Sequence, residues 1–468
     1  MREEFEDEFN EEDQKSSVQR FEEMLRKKDQ YFFEPDAFEN IIDYYLDKHD
    51  PVRALRVVKY AISQYSFDAT FLIKKAQILI NTTDYKTALE VLDKAEVLEP
   101  SSPDILLLRG DAYNYLGCYN EAIKCYTTAL PISEDKDEIY LCLATVYQNQ
   151  GNFEKAIRLL KQCLDENPNN EEILYEIAFC YDLINQSQES IEFYDQFIDK
   201  EPYSYAAWYN LGNVYNKLEK YDKAIMAYDY AILIKENFAA AHFNKGNTLA
   251  NMEKYEDAIE IYKCTFEYES PEAVTYYNIG ECYEKLEKMD EARSFYKKAT
   301  KIDPELAEAW FGIGITLENE ERWFESIHFF KKSIKLDSKN PEYWHALGDA
   351  EAKLGNVESA TGAYKRVAEL APESTDIWMD WSYALFEDKQ LDTAIDTLFE
   401  GIRHNPEFVD YYYLISVYFF KQNKYKEGAV YLEQALTRDY SKHNLIFEHY
   451  PHLKNNKIIQ DLINLYKP

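Results

Sequence analysis

An all-α fold, a solenoid of antiparallel helix pairs, is what this 468-residue chain predicts, and three observations point to it. First, residues 35–442 divide into twelve consecutive 34-residue units with no insertion or deletion, the mark of a stacked repeat architecture. Second, small residues recur in register. Position 20 of each unit holds Ala54, Ala88, Ala122, Ala156, Ser190, Ala224, Ala258, Ala292, Ser326, Ala360, Ala394 and Gly428, and position 8 of the middle units holds Gly110, Ala144, Ala178, Gly212, Gly246, Gly280, Gly314 and Gly348. Third, position 24 of units three to ten is large: Tyr126, Leu160, Tyr194, Tyr228, Tyr262, Tyr296, Phe330 and Tyr364. Small side chains at 8 and 20 let two helix backbones approach, and the ring at 24 fills the space beside them. Prolines at position 32, such as Pro100, Pro168, Pro202, Pro304, Pro372 and Pro406, then end the second helix.

Taken in order, residues 1–16 form an acidic tail. The first 13 carry eight acids and one arginine, too little apolar area to offset ordering entropy, so this segment is expected to lack structure. Over 17–34, Val18, Phe21, Met24 and Leu25 make an apolar stripe at helical spacing, which predicts a capping helix on the first unit. The twelve units fill 35–442. Residues 443–468 carry Ile446, Phe447, Leu453, Ile458, Ile459, Leu462, Ile463 and Leu465, interrupted by Pro451, and are expected to form a helical cap, because the last unit of a solenoid has an unpartnered face. Long Gly/Ser or Pro-rich linkers are absent, so one continuous array is expected.

The run Ala207-Trp208-Tyr209-Asn210-Leu211-Gly212-Asn213-Val214-Tyr215, followed by Tyr221-Asp222-Lys223-Ala224-Ile225 and Ala231, resembles the tetratricopeptide repeat, and the resemblance covers about 408 of 468 residues. It implies a right-handed α-solenoid superhelix in which positions 2, 5, 9, 12 and 13 of each unit line a concave groove that holds a partner segment.

No phosphate loop, G-x-S-x-G turn or H-E-x-x-H occurs. Gly312 and Gly314 form a G-x-G, but the register sets them inside a first helix, where no phosphate cradle forms. His443, His449 and His452 flank Pro451 without a cysteine and are not read as a metal site. Neither an enzyme activity nor a cofactor nor a metal is expected. The seven cysteines, an odd number without a C-x-x-C pair, read as free thiols of a reducing compartment, with Cys180 and Cys282 as small buried hydrophobes. An acidic N-terminus and the lack of a long apolar run predict a soluble, cytoplasmic protein without a membrane segment.

The expected groove supplies the candidate site. Position 5 carries Tyr175, Tyr209, Phe243, Tyr277, Phe311 and Tyr413, with His345 and Met379 interposed, an aromatic ladder. Position 6 adds Asn210, Asn244 and Asn278, and position 9 adds Asn213 and Asn247. A side-chain amide donates and accepts at once, so such a row can hold an extended backbone regardless of its sequence. The row is similar to the asparagine ladder of the O-linked GlcNAc transferase superhelix, although no transferase domain accompanies it. The peptide-binding residues expected are Tyr209, Phe243 and Tyr277 as anchors, Asn210, Asn213, Asn244, Asn247 and Asn278 as hydrogen-bonding groups, and Glu281 as charge selector. The competing account is that the same residues serve family-typical packing.

Charge bears on the partner. A formal charge of −34 argues against nucleic acid. Position 2 is acidic at Asp36, Asp104, Glu138, Glu172, Glu308, Glu342, Asp376 and Asp410, which favours the positive end of each helix dipole and biases a groove toward basic or mixed segments. The lysine–asparagine–lysine–arginine set with which related domains grip acidic chaperone tails is missing: Tyr209, Phe243, Val274 and Asn278 stand at those places. The expected function is a non-catalytic scaffold or adaptor for another protein. Two alternatives stand beside it, a structural subunit of a larger or self-associating assembly, and a regulatory partner of a separately encoded enzyme.

Overall fold

The structure, a computed structural model, describes residues 2–168 and 170–467, with the side chains of 1–14 and of His449 outside that description. Among the described residues the chain is all-α. It comprises two compact units, 1–235 and 236–468, and each is an α-solenoid of consecutive antiparallel helix pairs.

In the first unit one helix, α1 (Arg2–Lys27), takes in both the acidic segment expected to lack structure and the start of the expected cap. Glutamate, frequent in this segment, is a good helix former. The cap does not remain helical to residue 34. Lys28 turns left-handed at φ 56°, and the extended stretch after it is pinned by the second helix of the first repeat. There Gln64 Nε2 donates to the Tyr31 carbonyl at 2.7 Å, and the Phe33 amide donates to Gln64 Oε1 at 3.2 Å. Val18, Phe21 and Met24 are buried against Phe38, Ile41 and Ile42, so α1 covers the open face of the first pair.

Twelve helix pairs follow, from α2 (Pro35–Asp47) and α3 (Pro51–Gln64) to α24 (Asp410–Lys421) and α25 (Tyr425–Arg438). The turn inside every pair has one device. Position 15 lies in the left-handed region in all twelve, from His49 (φ 54°) through Glu253 (φ 60°) to Asn423 (φ 62°), and only Gly117, Gly151 and Gly355 are glycines. After Ala239–Asn251, the Glu253 amide donates to the Ala250 carbonyl at 2.9 Å and the Lys254 amide to the Leu249 carbonyl at 2.9 Å. These two bonds satisfy carbonyls that a helix end otherwise leaves open. A side chain in this region costs about 1–2 kcal/mol. Glu253→Gly is therefore expected to gain roughly 0.5–1 kcal/mol in urea unfolding, after the extra chain entropy of glycine is subtracted.

The core lies between helices, and the ring at position 24 is its pivot. The ring of Tyr262 lies over Gly246, where a Cβ would stand 2.6 Å from Cε1; Tyr126, Tyr228, Tyr296, Phe330 and Tyr364 cover Gly110, Gly212, Gly280, Gly314 and Gly348 in the same way. A Cβ on the next repeat's Gly312 would likewise stand 2.6 Å from the ring of Tyr296. The G-x-G of Gly312 and Gly314 thus serves ring packing. Successive repeats are tied by a second device. The indole of Trp310 at position 4 donates to the Pro304 carbonyl at position 32 of the repeat before it, at 2.9 Å, and Trp208, Trp344, Trp378 and Tyr412 repeat the bond.

After Arg438 the second unit ends in short helices, Leu445–His449 and Lys457–Leu465. Ile446, Leu453, Ile459 and Ile463 are buried on the last pair, while Ile458 and Leu465, expected in the cap's core, are exposed on the opposite face of their helix. All seven cysteines are free, with Cys163, Cys180 and Cys282 buried. Among the described residues no helix is long and apolar enough to cross a membrane.

Candidate functional site

The expected ladder divides between the two units: Tyr209, Asn210 and Asn213 belong to the first, and Phe243, Asn244, Asn247, Tyr277, Asn278 and Glu281 to the second. Of these residues only Glu281 is exposed, and Asn210 is 2% exposed. The rings at position 5 lean on the rings at position 24 of their own repeats. Tyr209 lies 6.1 Å from Tyr228, Phe243 5.7 Å from Tyr262, and Tyr277 5.7 Å from Tyr296. Each is half-buried.

Packing accounts for the asparagines at position 9. Asn213 Oδ1 accepts from the Tyr228 hydroxyl at 2.9 Å, and Asn247 Oδ1 from the Tyr262 hydroxyl at 2.6 Å. Asp111 and Asp349 do the same for Tyr126 and Tyr364, at 2.6 and 2.7 Å. A ring laid over a helix brings its hydroxyl into a nearly buried place, and position 9 supplies the acceptor it needs there. Burial raises the Asp111 carboxyl above its ordinary range, and the Tyr126 hydroxyl partly reverses that. Asn247 also accepts from Asn278 Nδ2 of the following repeat at 3.1 Å. Asn247→Ala is therefore expected to lower stability by about 1–3 kcal/mol, since a tyrosine hydroxyl and an amide lose their partner. Thermal unfolding checks this. In a double-mutant cycle with Tyr262→Phe the two losses should fail to add.

Sequence reasoning did not collect the acid-lined pocket of the second unit. A cavity of about 440 Å³ is walled by Glu318, Asp349, Asp380, Glu387, Lys353 and Tyr383, from three successive repeats. His345 Nε2 lies 2.9 Å from Asp380 Oδ2 and 3.8 Å from Asp349 Oδ2. The Asp380 bond is the main reason its imidazole titrates above the usual value. Burial first, and the charge of Asp349 second, push the Glu318 carboxyl up to about 7. His345, Asp349 and Asp380 place one donor atom each within 4.8 Å of the others. The register was the available signal, since Glu318, Asp349, Lys353, Tyr383 and Glu387 all stand at positions 9, 12 or 13.

Known families and structures bear on this arrangement. The family model described as the C-terminal domain of cilia and flagella-associated protein 70 matches residues 187–405, and models of the tetratricopeptide repeat match 110–151, 148–211 and 409–442. No curated protein matches the chain. Among solved structures the chain is similar to the Cut9–Hcn1 hetero-tetramer of the APC/C, at 15% identity, over 80% of this chain and 88% of that one, with a TM-score of 0.40. YrrB, described as a TPR protein with an unusual peptide-binding site, is 21% identical over 42% of this chain and 97% of its own, with a TM-score of 0.35. The C-terminal part of a TPR repeat-containing protein from Cytophaga hutchinsonii is 18% identical over 54% of this chain and 98% of its own, with a TM-score of 0.44. The 34-residue register, the ring at position 24 laid over a small residue at position 8, and the repeat models that match along the array agree: the chain belongs to the tetratricopeptide repeat proteins.

Proposed function

We propose that the protein is a non-catalytic scaffold that binds an extended, basic or mixed-charge segment of another protein along its first helices. The observation that carries this reading is the pocket walled by Glu318, Asp349, Asp380 and Glu387 with a single lysine, Lys353. Four carboxylates face one cavity in a chain of net charge −34. Such a wall steers a cationic side chain inward and repels an acidic one, which sets specificity and association rate more than raw affinity. Within the same unit the half-buried rings of Phe243 and Tyr277 offer apolar faces for the rest of the segment, and exposed Glu281 adds a second acidic contact.

Glu281→Lys and Glu387→Lys change exposed side chains and are expected to leave the fold intact. In an affinity pull-down from native lysate, the double variant should lose partners that the parent protein retains. The parent's own capture should weaken when ionic strength rises to about 1 M, where the Debye length falls to about 3 Å. Partners retained equally by both proteins would move the interface away from these residues and favour a structural role in a larger assembly.

A further inference from the structure

The fifth repeat departs from the third, sixth, seventh and tenth at two places. Position 9, where the third, sixth, seventh and tenth repeats carry the Asp or Asn that accepts the tyrosine hydroxyl, is Phe179, with 55% of its surface exposed. Without that acceptor, the Tyr194 hydroxyl turns to the Leu174 carbonyl at 2.7 Å. The loss also reaches the next repeat. Asn278, at position 6, donates to Asn247 at position 9 of the repeat before it. Asn210 has the same place in the sixth repeat, and the residue that would answer it is Phe179. Its Nδ2 is buried with no partner. The second departure is Ser190, where most repeats have alanine. The only other serine at that position, Ser326, donates to the Trp323 carbonyl at 2.9 Å, whereas the Ser190 hydroxyl is buried without a partner.

Ser190 and Asn210, 1% and 2% exposed, line one cavity of about 200 Å³ together with Ala178, Phe179 and Val214. That is several times the roughly 30 Å³ a water occupies in the liquid. Its rim charges, Lys217 and Asp182, are paired with each other, so the cavity presents no free charge. Two buried polar groups without partners are costly in a native protein, and the seventh repeat indicates what is missing, since there a carboxamide oxygen fills the equivalent need.

We propose that this cavity is a carboxamide subsite: it takes the side chain of a glutamine or asparagine from the bound segment, whose oxygen accepts from Asn210 Nδ2 and whose NH₂ donates to Ser190 Oγ, beside the exposed ring of Phe179. The subsite rests on the reading of the protein as a binder of partner segments, and it adds a specificity for a neutral amide to that reading.

The test uses the full chain with ¹³C-labelled alanine and valine methyls, titrated with the N-acetyl methylamides of glutamine, glutamate and leucine. The glutamine compound should shift Ala178 and Val214, with the other two weaker by about ten-fold or more. Ser190→Ala should weaken the glutamine response. Phe179→Asn restores the internal acceptor, so it should abolish the response while raising the melting temperature. Silence of both methyls toward the glutamine compound, or an equal response to all three, overturns the subsite. If Phe179→Asn does not fold, Ser190→Ala decides alone, since alanine stands there in most repeats, and unchanged affinity then overturns it. The pull-down with Glu281→Lys and Glu387→Lys is read separately: partners lost there while these methyls stay silent leave the scaffold reading standing and remove only the subsite.

Discussion

Gly246→Ala is expected to destabilise the second unit by about 1–3 kcal/mol, the usual range for forcing an extra carbon into a filled core. The added Cβ would stand 2.6 Å from Tyr262 Cε1 and 2.7 Å from Cδ1. The ring cannot yield freely, because its hydroxyl is held by Asn247 at 2.6 Å and its face meets Phe243. Gly362, also within a helix, has nothing within 4 Å of its Cβ position. Gly362→Ala should therefore stabilise by roughly 0.5–1 kcal/mol through helix propensity and a less flexible unfolded chain. Urea unfolding followed by circular dichroism gives both signs. Hydrogen exchange should confine the Gly246→Ala loss to the repeats that touch Tyr262, because a stacked array is coupled mainly between neighbours.

The pH dependence of the second unit is the other large effect. Burial and Asp349 raise the Glu318 carboxyl from 4.5 to about 7, so between those values the folded state holds a proton that the unfolded state has released. The stability tied to that proton is complete below about 4.5 and is lost as pH rises through about 7; at roughly 1.4 kcal/mol per unit it amounts to at most about 3 kcal/mol. His345, raised chiefly by its bond to Asp380, has the same sign, with its share lost as pH rises through its folded value above 6.5. Glu351 opposes them. Burial alone would raise it, but the bonds from Lys331, Asn356 and Ser359 and the charge of Lys331 together outweigh burial and hold it below its ordinary value, so its contribution is lost on acidification. Unfolding at pH 5.5 and pH 8 should show the parent more stable at the lower value. Glu318→Gln should flatten that difference, and a variant that keeps the full slope would assign it to other groups.

The fold was legible because one packing problem is solved repeatedly in register. Gly246 and Tyr262 sit 16 residues apart in every comparable repeat, and no other reading of a small and a large residue at that spacing survives so many repetitions. The left-handed turns were not legible, since Glu253, Lys389 and His49 carry no sign of the conformation they adopt; backbone bonds at the helix end decide it. At the site the ladder was visible, but its use was not. The tyrosine at position 24 claims the asparagine at position 9 and leans on the ring at position 5, so the residues expected to meet a ligand also hold the repeat together. The acid-lined pocket escaped because Glu318, Asp349 and Asp380 come from three repeats and three different positions. Each alone looks like a solvated surface acid.

The twelve left-handed turns carry a further consequence. Nine of them hold a residue other than glycine, so much of the array's possible stability is left unused at places where a single codon change would recover it. A chain under selection for rigidity would be expected to accumulate glycine at these seats. Keeping Glu, Lys, Thr, His and Asn there leaves the pairs easier to open one at a time. Opening of one pair is then set by the single side chain at its own turn, because a stacked array is coupled mainly between neighbours.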